Sequence, residues 1–171
     1  MLHHLITAAG VALALTACGG TISDGPNSAS TEILVEDATI SRCNQLIEYG
    51  AFSFTLTVTN TGTQPLVLGG ISLAAAEASG ATLVDGDTAF AAPVLLPAGQ
   101  PARFACAPDV GYGWSASGAE VALNVVVALS YEDGATAGTA SGAGAIRFMD
   151  AWDNCNTFVS QPHPCEPLPF N

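Results

Sequence analysis

The sequence predicts an all-β protein, an antiparallel β-sandwich of about seven short strands. Two segments carry that expectation. Phe52-Ser-Phe54-Thr-Leu56-Thr-Val58-Thr59 alternates without a break, aromatic and aliphatic side chains on one face and hydroxyls on the other. Glu120 to Tyr131 does the same, with Val121, Leu123, Val125, Val127, Leu129 and Tyr131 on one side. A period of two is the mark of a half-buried strand. The third observation is spacing: clusters of Gly, Pro, Asn and Asp interrupt the chain at short intervals, and little helical periodicity lies between them.

Each element follows from its own residues. Ile33 to Ile40 reads as the first strand, with an alternation that slips near Glu36-Asp37 as at a bulge. The second strand, Phe52 to Thr59, stops at the turn cluster Asn60-Thr61-Gly62-Thr63. Leu66 to Leu73 forms the third. Residues 74 to 92 are rich in alanine and leave a short helix open as an alternative; within them Asp85-Gly-Asp87 reads first as a turn and second as a pair of cation ligands. Pro97-Ala98-Gly99-Gln100-Pro101 leads into a shorter strand, Arg103 to Cys106. The Glu120 to Tyr131 strand ends at Glu132-Asp133-Gly134, a hairpin signal. Ala145 to Met149 is expected to be the last strand.

The amino terminus has another character. Leu5 to Leu15 is an apolar run, preceded by His3 and His4 where such leaders usually carry Lys or Arg, and it ends at Leu15-Thr16-Ala17-Cys18. An apolar stretch of this length reads as an export signal rather than a membrane span. The Leu-Thr-Ala-Cys end resembles the lipobox of bacterial lipoproteins. The resemblance implies cleavage after residue 17 and acylation of Cys18, so that the membrane is reached through an amino-terminal lipid. Gly19, by resemblance to enterobacterial sorting, implies the outer membrane. The expected organisation is a signal peptide at 1–17, a small polar tether at 18–31, a β-sandwich domain at 32–149 and a disulfide-stapled tail at 150–171.

Composition narrows the partners. Fifteen acidic residues face three arginines and no lysine, for a formal charge of −12. Phosphate backbones and anionic lipid headgroups would repel such a chain, which argues against nucleic-acid binding and against electrostatic membrane attachment. A hydrophobic content of 49% is enough for a real core. A monomer is expected.

Four cysteines follow Cys18: Cys43, Cys106, Cys155 and Cys165. An even number in an exported chain implies two disulfides. No Cys-x-x-Cys occurs, and the one histidine beyond the leader, His163, sits between Pro162 and Pro164, so a metal centre is disfavoured. The Leu56-Thr-Val-Thr-Asn-Thr-Gly-Thr-Gln-Pro-Leu66 run, with Leu96-Pro-Ala-Gly-Gln100 before a later strand, resembles the immunoglobulin-like modules of bacterial envelope proteins. Under that topology the four cysteines collect at one end of the sandwich, opposite the tether. Irregular segments at 44–50, 107–119 and 150–171 would lie there. Two pairings suit it: Cys43–Cys106 with Cys155–Cys165, or Cys43–Cys155 with Cys106–Cys165.

Candidate chemistry is sparse. Asp150 and Asp153 are weak Ca²⁺ ligands and better turn formers. Val110-Gly-Tyr112-Gly-Trp114 is a glycine-flanked aromatic loop whose Tyr112 and Trp114 are candidate partner-binding residues, with packing of Trp114 back over the disulfides as the alternative. No catalytic motif occurs, and a Ser-His-Asp triad would have to rely on His163 in its proline-rich setting. No cofactor is implied. The expectation is a non-catalytic envelope lipoprotein presenting its disulfide-rich end to a protein or glycan. The alternative is a small cation-binding or hydrolytic envelope protein using acids near Asp150 and Asp153.

Overall fold

The computed structural model describes residues 30–43, 50–115, 120–151 and 162–169, with the side chains of all of these except 42, 43, 50, 150 and 151. The signal peptide, Cys18 and nearly all of the tether expected before residue 30 lie outside the described residues, as do Asp153 and Cys155. The described chain is all-β, as expected. Its strands are β1 (Thr31–Cys43), β2 (Gly50–Asn60), β3 (Leu66–Ala76), β4 (Thr82–Thr88), β5 (Val94–Leu96), β6 (Pro101–Ala107), β7 (Gly111–Tyr112), β8 (Val121–Tyr131), β9 (Thr136–Ala151) and β10 (His163–Leu168). They form one curled sheet in the order β10-β6-β2-β1-β9-β8-β3-β4-β7, with β5 paired to β3.

Strand β9 explains the curl. Its first part, to Ile146, runs antiparallel to β8, whereas Arg147 to Ala151 run parallel to Thr39 through Cys43 of β1. One strand thus belongs to two groups, β9-β8-β3-β4 and β10-β6-β2-β1. The alternating faces of both groups point into one core, built from Phe52, Phe54, Leu56 and Val58 of β2, Val121, Leu123, Val125 and Val127 of β8, and their neighbours. Where the groups meet, β1 lies directly on β9. An added Cβ at Gly144 would stand 2.5 Å from the Val35 carbonyl oxygen, and one at Gly142 would stand 2.7 Å from that of Ile33. Only glycine allows that approach.

The registers define two ends. Thr31 is opposite Asn60, and Leu66 is opposite both Tyr131 and Leu96; this is the end at which the chain comes in. At the other end Arg42 is opposite Gly50, Cys43 opposite Ala151 and Ala107 opposite His163. The incoming end is organised by Asn60, which is fully buried. Its Nδ2 donates to the carbonyls of Gln64 (2.8 Å) and Leu96 (3.1 Å), and its Oδ1 accepts from Gly62 N–H at 3.0 Å. Its own N–H donates to Gln100 O, and its carbonyl accepts from Gly99 N–H. Every polar atom of this buried residue is therefore used, as burial requires. The Asn60-Thr-Gly62 turn and the Pro97-to-Gln100 turn become one unit, with Gly99 in the left-handed region at φ 72°. Ser30 joins it by accepting backbone bonds from Thr61 and Gly62.

Several expectations need correction. Residues 74 to 92 contain no helix; they finish β3 and supply β4. Asp85-Gly86-Asp87 is not a turn but the middle of β4, opposite Ala74, Leu73 and Ser72. Local turn preference gives way there to a ladder with β3, and Asp87 accepts a 2.6 Å hydrogen bond from Ser72. Ala145 to Met149 is not the last strand but part of β9, and β10 follows it. The tail is not wholly irregular, because β10 pairs with β6. The slip at Glu36-Asp37 is a bulge, with a register shift between Glu36 and Thr39 and Asp37 at φ 51°.

Candidate functional site

The end opposite the incoming chain is assembled by β10. Four prolines in or beside it, Pro162, Pro164, Pro167 and Pro169, cannot donate to a ladder, so its backbone pairing alone is weak. A disulfide supplies the rest: Cys106 of β6 is bonded to Cys165 of β10 across 59 residues of sequence. The two cysteines are 1% and 0% exposed, inside the core rather than over loops at its end. Cys165 N–H donates to Ala89 O, and Cys165 O accepts from Ala91 N–H, both at 2.9 Å. Strand β10 therefore bridges β6 to the segment just leaving β4. Phe90 of that segment packs edge-on to Phe104 at 4.7 Å. The pairing Cys43–Cys106 with Cys155–Cys165 is thereby excluded. The Cys43 side chain and Cys155 lie outside the described residues.

Docking β10 completes a row across the outer face. Arg147 is opposite Thr39, Thr39 is opposite Ser53, and Ala107 is opposite His163. The β2–β6 register, Phe54 against Cys106, carries the row from Ser53 to Ala107. At a strand spacing of about 4.8 Å the row is roughly 19 Å long. Along it lies a depression of about 220 Å³ lined by Asp37, Ser53, Thr55, Ala105, Ala107 and His163. The side chains of its floor are short, hydroxyls of β2 beside alanines of β6.

Asp37, Ser53 and His163 are each oriented by one bond. Arg147 donates to Asp37 Oδ1 at 3.3 Å, an exposed ion pair that fixes the bulge residue in place. Thr39 Oγ1 and Ser53 Oγ share a hydrogen bond of 3.1 Å. His163 Nδ1 is 2.8 Å from Pro164 O. A carbonyl only accepts, so Nδ1 is the donor in that bond.

The aromatic loop is placed differently from expectation. Gly111 and Tyr112 form β7 against Asp85 and Val84, and Gly113 N–H donates to Leu83 O at 2.6 Å. Tyr112 is 37% exposed, whereas Trp114 is half-buried and packs edge-on to Phe148 at 5.5 Å. Next to it, buried Ser115 hydrogen-bonds Glu77. That bond and a second from Ser79 hold the Glu77 carboxyl below its ordinary range. The backbone of Asp150 lies in β9, opposite Arg42, and its side chain is outside the described residues. Among the described residues no three or more His, Cys, Asp or Glu side chains gather as a metal site.

Sequence reasoning singled out Tyr112 and Trp114 and missed the depression. The hydroxyl side of the β2 alternation marks its floor, but nothing local says that His163 comes to lie beside it. The chain matches no protein-family model, and no curated protein is similar to it in sequence.

Proposed function

We propose that this chain is a non-catalytic bacterial lipoprotein, anchored through Cys18 to the outer membrane and presenting the disulfide-linked end of its domain to an envelope protein or glycan. The observation that carries the reading is the buried Cys106–Cys165 disulfide, a bond that forms and persists outside the reducing cytosol. It agrees with the leader and the lipobox-like Leu15-Thr16-Ala17-Cys18. The geometry agrees too: Ser30 and Thr31 sit at the end of the sheet remote from the depression, so a lipid on that side leaves the depression facing away from it.

The finer fold reading is an immunoglobulin-like sandwich. Its support is the grouping of strands: β1, β2 and β6 fall together, and β3, β8 and β9 fall together, as A, B and E separate from C, F and G in that fold. The protein acts as a monomer and without a cofactor.

The test is metabolic labelling with an alkyne-bearing fatty acid in the native cell. Label on the amino-terminal peptide, lost in Cys18→Ser together with membrane retention, is the expected result. An unlabelled protein, or one that stays membrane-bound in Cys18→Ser, would overturn the reading.

A further inference from the structure

We propose that the depression beside His163 is a subsite for one neutral sugar residue of a glycan. The inference rests on the binding-module reading above and names the ligand class for that end of the molecule.

Several observations favour a polyol. Three polar groups around the depression are each fixed by one bond and have capacity for another: His163 through Nε2, Asp37 through its second oxygen and Ser53 through its hydroxyl; Thr55 adds a further hydroxyl that can donate and accept. A ligand that matches such a set must also donate and accept at several neighbouring atoms, as adjacent hydroxyls do. The charge at the site is balanced, because Asp37 faces Arg147, so a cation finds no unpaired carboxylate. An anion would approach a chain of charge −12.

Size and texture point the same way. A volume of about 220 Å³ falls below the roughly 300–1,000 Å³ typical of pockets for larger ligands and suits a single ring. Ala105 and Ala107 present a low apolar floor on which the C–H face of a ring can rest. A protein partner would look for aromatic or aliphatic anchors gathered in one patch. The large exposed apolar side chains, Leu34, Leu95, Tyr112, Val126 and Met149, instead sit on five different strands, and none lines the depression.

The test uses the purified, oxidised full chain, immobilised through its amino-terminal segment. Envelope material from the producing cell is offered in three portions: untreated, oxidised with periodate to cleave sugar diols, and digested with protease. Retention that survives protease and disappears after periodate is expected. It should fall about tenfold in Ser53→Ala, and equally in His163→Ala. Ser53→Ala serves where His163→Ala disturbs β10, since alanine keeps the Cβ and removes only the hydroxyl. Retention lost to protease but not to periodate would assign the site to a protein and overturn the glycan, while acylation of Cys18 would still stand on its own measurement. No retention, or retention unchanged in both variants, would overturn the subsite itself.

Discussion

The two ends of the sheet solve one problem by different means. At the incoming end, Asn60 joins two turns and the end of β5 through hydrogen bonds alone, all made within a span of some forty residues of chain. At the far end, β10 is poor in backbone donors and is secured by a covalent bond to a strand 59 residues earlier. The contrast shows where each kind of fastening is useful. A buried amide suffices where turns already bring the partners close. A disulfide serves where the partner strand arrives late in the chain and its prolines weaken the ladder.

The largest expected effect comes from cutting the far-end fastening. Cys106→Ala with Cys165→Ala should lower stability by about 2–4 kcal/mol in urea denaturation. A protease of broad specificity should then clip β10 from an otherwise folded protein while leaving the oxidised wild type intact. Unchanged amide protection at position 165 and at Ala91 in the double variant would mean that the ladder holds β10 unaided. Next comes Asn60→Ala, which orphans the buried carbonyl of Leu96 and should cost about 2–3 kcal/mol by the same measurement. A larger loss than that of the disulfide variant would reverse the ranking of the two ends.

Gly144→Ala tests the seam between the strand groups. Its methyl group meets the Val35 carbonyl, so about 1–3 kcal/mol should be lost, whereas Ala143→Ser, on the outer face, should be neutral. At the bulge, Asp37→Gly should change the thermal midpoint little. It relieves a left-handed residue worth about 1 kcal/mol and gives up an exposed ion pair worth about 0.2–1 kcal/mol. Asp37→Ala, which loses the pair and keeps the strain, should be the less stable of the two. The smallest effect belongs to Glu77. Its lowered carboxyl contributes stability that is fully present above the ordinary carboxylate range and fades as pH falls through the depressed value. An NMR titration should show the depression shrinking in Ser115→Ala.

The legibility of the sequence follows the same division. Strands β2 and β8 were plain because each buries one face and alternation records it. The bulge in β1 and the hairpin at Glu132-Asp133-Gly134 were plain because their causes are local; Gly134 there has φ 84°, and Tyr131 N–H donates to Ala135 O. Three of the hidden elements show why others were not plain. The first half of β9 is glycine, alanine and hydroxyl residues, which look like a linker until β1 is seen lying on them. Strand β4 carries the Asp-Gly signal of a turn, and only its partner β3 overrides it. Strand β10 is a proline-rich tail whose place depends on Cys106. The depression inherits that last difficulty. Its floor lies on β2 and β6, but one wall arrives with β10, so no window of sequence contains it.

The bare backbone at Gly142 and Gly144 also acts as a steric key for alignment. Sliding β9 by two residues beneath β1 would bring Ala140 or Ile146 under the crossing carbonyls, and neither has room for its Cβ. Hydrophobic patterning alone would tolerate a two-residue slip, because the same face stays inward. Here excluded volume rejects it, so the pairing on which both halves of the molecule depend has a single admissible setting.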